Sequence, residues 1–147
     1  MDYSTTFKQF TRRERLMAIQ ARNLAKGYDA IYHGTHYAPQ VLRSGKLIPR
    51  STGLANIPLT RSPEIAAYFA LMQGREANGW SGAILVLNKR SLAQRYRLEP
   101  CHDECALQDE QEEIIWDRKV NFRRHLLGTV RESELQEEEI ARQIKYI

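Results

Sequence analysis

The chain has only two cysteines in 147 residues, Cys101 and Cys105, too few for a disulfide framework. They flank His102-Asp103-Glu104, and a single C-x3-C without a second pair is a poor zinc site, so no metal is expected. No apolar run approaches the roughly 18 to 20 residues that would cross a bilayer, so no membrane partner is expected. The N-terminus MDYSTTFKQFTRRERL also lacks the apolar core of a secretory signal. A cytoplasm is therefore the expected compartment, either of the producing cell or of a host into which the protein is delivered. Neither G-x-G-x-x-G nor G-x-x-x-x-G-K-[ST] occurs, which removes both usual phosphate cradles. Internal repeats and low-complexity segments are absent as well.

What is present describes a globular chain of one domain spanning 1–147. Apolar residues make up 42% and charged residues 27%, spread along the whole length. The net charge of +4 conceals a gradient, from +6 over residues 1–50 through +3 over 51–100 to −5 over 101–147. A basic N-terminal portion attracts phosphates or acidic protein surfaces, although solvated helix faces give the same count.

Along the chain, residues 5–26 read as a helix with an imperfect apolar stripe, Arg12, Arg13 and Arg15 on its outer face and Gly27 as its stop. Residues 1–28 form an N-terminal helical extension, 30–130 a core, and 132–147 a C-terminal helix. Ala30-Ile31-Tyr32-His33 predicts a short buried strand ending at Gly34-Thr35. A short helix follows Pro39 and closes at Ser44-Gly45, and residues 50–56 read as loop. Ile57-Pro58-Leu59-Thr60 is extended, and Pro58 argues for an edge or irregular strand. Ser62-Pro63-Glu64 is a strong helix start for 63 to about 73: a hydroxyl cap, proline in the first turn, then a carboxylate facing the dipole. Ala83–Leu87 reads as a central strand buried on both faces, with further strands at Tyr96–Glu99, Glu113–Trp116 and Leu126–Val130. Strands without regular helical crossovers favour an α+β class.

Three stretches in order, Tyr32-His33-Gly34-Thr35, Leu59-Thr60-Arg61-Ser62-Pro63-Glu64 with its helix, and Gln111-Glu112-Glu113-Ile114-Ile115, together resemble the motif regions of the ADP-ribosyltransferase superfamily. The likeness spans about residues 30 to 116, and His33 draws it toward the histidine-bearing branch that includes diphtheria toxin and the poly(ADP-ribose) polymerases. It implies a split two-sheet fold with flanking helices whose cleft binds NAD as a substrate. His33 then holds a ribose hydroxyl, Gly34 after it offers backbone groups to the nicotinamide amide, and Thr35 belongs to the same NAD-binding motif. Tyr68, with Phe69 next, matches the ring stacked on the nicotinamide, and Glu113 matches the catalytic glutamate. Gln111 occupies the position that helps select the acceptor; taking Glu112 as catalytic pairs it with Glu110 instead. Where that branch has its first tyrosine, this chain has Ile57-Pro58, leaving Thr60 or Tyr37 as substitutes.

The chemistry accords with these residue types. Breaking the nicotinamide–ribose bond builds positive charge on the sugar, and a carboxylate beside it stabilises the transition state more than the ground state. A neutral imidazole both donates and accepts, which suits a vicinal diol. The expected activity is mono-ADP-ribosyl transfer to a macromolecular acceptor, protein favoured, with nucleic acid as the other candidate. Three further readings stand beside it. One is an NAD-using RNA 2′-phosphotransferase drawing on Arg50, Arg61 and Arg97. Another is an inactive fold member serving as a binding module, and the last a nucleic-acid binder using the Arg12-Arg13-Arg15 face.

Overall fold

The computed structural model describes residues 10–49, 56–72, 82–100, 112–116 and 118–135. Helix α1, Arg12–Leu24, starts at Thr11, whose Oγ1 accepts from the Glu14 amide at 3.1 Å while Glu14 Oε1 accepts from the Thr11 amide at 2.6 Å. This reciprocal cap satisfies two amides that the first turn would otherwise leave bare. The helix expected over 5–26 is shorter among the described residues, since Phe10 and Thr11 precede its start and Ala25 and Lys26 follow its end; residues 5–9 lie outside the described residues. Strand β1 (Ala30–Thr35) is followed by α2 (Ala38–Ser44), which stops at Gly45 with φ of 70°. Next come β2 (Lys46–Leu47), β3 (Asn56–Thr60) and α3 (Pro63–Met72), and then β4 (Ala83–Asn88). The chain continues through α4 (Lys89–Arg95), β5 (Glu99–Pro100), β6 (Glu112–Trp116), β7 (Val120–Asn121), a 3-10 turn at Arg123–His125 and β8 (Leu126–Arg131).

The protein is mixed α+β. Six strands form one antiparallel sheet in the order β5-β6-β3-β1-β4-β8, and β2 pairs with β7 in a second small sheet. Ala83–Leu87 lies between β1 and β8 and is buried throughout, as its unbroken apolar run requires. Alternation along the strands sorts the core into two faces. Tyr32, Ile84 and Val86 pack with Met17, Ala21, Ala66 and Ala70 beneath α1 and α3. Ile31, Leu59, Leu85, Leu87 and Ile115 pack with Leu92, Tyr96, Val120 and Phe122, beneath α4 and the β2–β7 pair.

Four further expectations change. Tyr96–Glu99 is not a strand: Asn88 caps α4 by accepting from the Ser91 amide at 3.3 Å, Tyr96 closes that helix, and the strand shrinks to Glu99–Pro100. Glu132–Glu134 is a 3-10 turn rather than the start of a terminal helix, and residues 136–147 lie outside the described residues. Asn56 opens β3 instead of closing a loop. Finally, β3 is an interior strand despite Pro58, lying between β1 and β6.

The reason proline is tolerated there also explains how the sheet is joined. β1 and β3 share a single registered pair, Tyr32↔Thr60, whereas β3 and β6 share five. Within a strand the N–H and C=O of one residue point to the same side, and the Pro58 carbonyl faces β1, where it accepts from the His33 ring (Nδ1 to O, 2.7 Å). The amide hydrogen that proline lacks therefore falls on the side where pairing with β1 has already ceased. The two halves of the sheet, β5-β6-β3 and β1-β4-β8, meet at one backbone pair and are bridged beyond it by an imidazole.

Candidate functional site at the junction of β1, β3 and β6

Antiparallel alternation collects four strand ends at one end of the sheet: the start of β1, the end of β3, the end of β4 and the start of β6. Asp29, Arg61, Lys89 and Glu113 come from those four places, 84 residues apart at the extremes (29 to 113). Glu113 Oε2 accepts from Lys89 Nζ at 2.8 Å and from Arg61 Nε at 3.3 Å, and Arg61 Nη1 reaches Asp29 Oδ1 at 3.5 Å. The Lys89 amide donates to the Asp29 carbonyl at 2.8 Å, so the backbone that carries the ammonium is itself pinned.

The Glu113 and Lys89 side chains are only 14% and 16% exposed. A charge-assisted hydrogen bond so enclosed contributes about 1.5 to 3 kcal/mol. Arg61 is 42% exposed, and its arm is screened and weaker. Both cations grip the same oxygen. Oε1 of Glu113 carries no hydrogen bond among the described residues, leaving one carboxylate oxygen to accept from a hydroxyl or to face a cation.

His33 shares a sheet face with Glu113. His33 follows Ile31 and Glu113 precedes Ile115 at the two-residue period, and both isoleucines belong to the same core. Their strands flank β3 on either side. The register position of Glu112 opposite Thr60 belongs to the other face. A carbonyl can only accept, so the Pro58 contact makes Nδ1 the donor and Nε2 the accepting nitrogen of the neutral ring.

The remaining expected residues divide. A Cβ on Gly34 would stand 1.9 Å from the Ala66 carbonyl oxygen and 3.0 Å from the Ala70 amide nitrogen. The glycine is thus required by the backbone of α3 lying against β1. Thr35 is buried, and its hydroxyl accepts from the Tyr37 amide at 3.0 Å. Thr60 is buried, and its hydroxyl accepts from the Ser62 amide at 3.0 Å; Ser62 Oγ in turn caps α3 through the Ile65 amide at 3.3 Å. These two threonines shape the turns on either side of the junction. Tyr68 and Phe69, in edge-to-face contact at 5.5 Å, ride on α3, the helix that covers the opposite face from His33 and Glu113. The structure does not bring those rings onto the His33–Glu113 face. Gln111 and Arg50 lie outside the described residues, and Arg97 extends to solvent beside Glu99 at 3.0 Å.

Nearby titratable groups are held by their surroundings. Burial chiefly raises the Tyr32 phenol, with Glu64 adding to the rise and Arg22 opposing it. Burial lowers His36, whose ring lies 4.1 Å from that of Tyr37. Lys89 and Asp29 were missed by the sequence reading, although Asn88-x-x-Ser91 after a central strand is a helix start that placed Lys89 at a strand end. Compared with models of known protein families, with curated proteins and with solved structures, the chain matches none.

Proposed function

We propose that the chain is an NAD-dependent mono-ADP-ribosyltransferase that breaks the nicotinamide–ribose bond and passes ADP-ribose to a macromolecular acceptor. One observation carries the reading: β1, β3 and β6 bring His33 and Glu113 to the same face of the sheet, with Oε2 of Glu113 held by two cations and Oε1 left open. As the bond breaks, its electron pair leaves with nicotinamide and positive charge builds at the ribose carbon. Oε1 would face that charge or accept from the ribose 2′-hydroxyl. Lys89 and Arg61 hold the carboxylate in place, which preorganises it. His33 would accept a hydroxyl proton through Nε2, so its role is to position the dinucleotide. The acceptor's nucleophile then bonds to the same carbon and loses its proton.

Incubation with tagged NAD and a cell lysate is expected to label a macromolecule and to release nicotinamide. Glu113→Gln should lower both by at least about 100-fold while the circular dichroism spectrum is preserved. Full activity in that variant would overturn the assignment, as would absence of NAD binding by calorimetry in the wild type.

Arg61 and Lys89 at the same strand ends favour one second reading, the RNA 2′-phosphotransferase, because two cations beside a carboxylate also suit a phosphate. Incubating an RNA bearing an internal 2′-phosphate with NAD distinguishes the two: loss of that phosphate with its transfer onto the ADP-ribose moiety selects the second.

A further inference from the structure

The layer over the Ile31–Leu85 face is assembled from residues 36–49, 89–98 and 118–125, and these three stretches contain ten Lys and Arg but no Asp or Glu. Tertiary contacts fuse them into one surface. Lys46 pairs with Asn121 across β2–β7, and the Phe122 amide donates to the Gly45 carbonyl at 3.1 Å. Arg123 Nη2 donates to the carbonyls of Leu42 and Arg43, at 3.2 and 2.7 Å. Tyr96 Oη accepts from the Asn121 amide at 3.0 Å, and the Arg118 guanidinium lies 5.0 Å from the centre of the Tyr96 ring.

Three of the ten cations are occupied: Lys89 at Glu113, Arg97 at Glu99 and Arg123 on its two carbonyls. Arg43, Lys46, Arg90, Arg95, Arg118, Lys119 and Arg124 are all exposed, and among the described residues no carboxylate pairs with any of them. The helical layer on the other face is mixed in sign: Arg22 pairs with Glu64 and Arg13 with Glu132, while Arg12, Arg15 and Lys26 are exposed with no carboxylate partner among the described residues. The local potential is felt by His125, whose ring burial and then Arg95 and Arg124 hold below its ordinary value.

We propose that this surface binds the phosphodiester backbone of a nucleic acid. Guanidinium forks match phosphate oxygens two at a time, and five of the seven groups are arginines. An acidic protein partner would call for apolar anchors at the centre of the patch. The exposed large apolar side chains of this layer are Tyr37, just before α2, and Ile48, just after β2, and Tyr37 lies against His36, a pair suited to stacking on bases. Binding does not depend on NAD chemistry. Lys89 and Arg90 join the surface to Glu113, and the consequence that a docked nucleic acid is itself the acceptor rests on the reading of the site above.

The test is fluorescence anisotropy without NAD, using labelled mixed-sequence RNA and DNA oligonucleotides and a range of salt. The wild type should bind with Kd of about 1 to 100 μM near physiological salt, tightening steeply as salt falls. Lys46→Gln, Lys119→Gln and Arg124→Gln combined should weaken binding at least about tenfold and reduce the log–log salt slope by about 2. Lys46→Arg with Lys119→Arg should retain binding, and Arg12→Gln with Arg15→Gln on the helical layer should leave it unchanged. Preference for RNA or for DNA supports the proposal either way and names the source. It is overturned if the wild type binds neither at low salt, if the helical-layer variant loses as much as the triple variant, or if polyglutamate competes as effectively as RNA. A nucleic acid that binds without being labelled from NAD would leave this proposal standing and remove only its consequence for the acceptor.

Discussion

The two faces of the central sheet are covered by contrasting means. Beneath α1 and α3 the contacts are small and close: Ala18, Ala21, Ala66, Ala67 and Ala70 are fully buried or nearly so, and α3 approaches β1 until only a hydrogen fits at Gly34. Beneath α4 and β2–β7 the contacts are made by large side chains, Phe122, Leu92 and Tyr96 among them, and the covering layer carries charge in excess. Where backbone meets backbone, a ligand finds no space. Where long side chains keep two layers apart, a carboxylate such as Glu113 sits among cations at the margin, with Oε1 carrying no hydrogen bond among the described residues. The helical layer is therefore expected to govern stability and the basic layer to govern binding.

That division can be broken from the helical side first. Gly34→Ala should destabilise the fold by about 3 kcal/mol or more, because the new methyl would meet the Ala66 carbonyl of a helix already packed on both sides; urea denaturation measures it. A variant as stable as the wild type would show that α3 is free to move away. Leu85→Ala, in the other core, should cost about 3 kcal/mol by leaving a cavity, with an unchanged dependence of stability on salt.

Glu113→Gln should cost less, about 1 to 2 kcal/mol, since the amide keeps the shape but loses the charge that Lys89 and Arg61 face. Its effect on NAD cleavage should far exceed its effect on the melting temperature. The reverse would return Glu113 to a purely structural role.

The basic layer also predicts a pH dependence. The folded-state value of His125 lies below the ordinary 6.5, so the unfolded chain takes up a proton first. The stability this group contributes is present above about pH 6.5 and is lost as pH falls from there through the lower folded-state value. His36, lowered by burial, acts in the same direction. Melting temperatures between pH 7.5 and 5 should fall, and His125→Gln should flatten the fall more than Arg22→Gln does. The smallest effect is expected of Arg22→Gln alone: its pair with Glu64 is half exposed and should contribute about 0.5 to 1 kcal/mol.

Legibility in the sequence followed the range of the interactions. Ser62-Pro63-Glu64 announced α3 because cap, proline and first-turn carboxylate act within four residues, and the Ser62–Ile65 bond is that cap. The apolar run 83–87 announced a central strand for the same local reason. Tyr96–Glu99 misled because its alternation could not reveal that Asn88 starts a helix that consumes the segment's first residue. Pro58 misled in a more useful way. Its lack of an amide hydrogen was read as an edge signal, and the strand has such an edge, but inside the sheet, facing an opening that only the partner strand defines. Of the candidate site, His33 and Glu113 were legible as residues and Lys89 was not, because a lysine after a strand looks like any solvated lysine until the sheet order sets β6 three strands from β4 and Glu113 within its reach.

The sequence by itself determined the helix start at Ser62, the doubly buried β4, the α+β class and the residue types at the site, because each rests on backbone chemistry or periodicity within a few residues. The tertiary structure alone decided that Asp29, Arg61, Lys89 and Glu113 share one sheet end, that α3 closes over Gly34, and that three acid-free stretches form one basic surface. Charge and close approach act between groups brought together by strand order, and strand order is set by pairing across the whole chain.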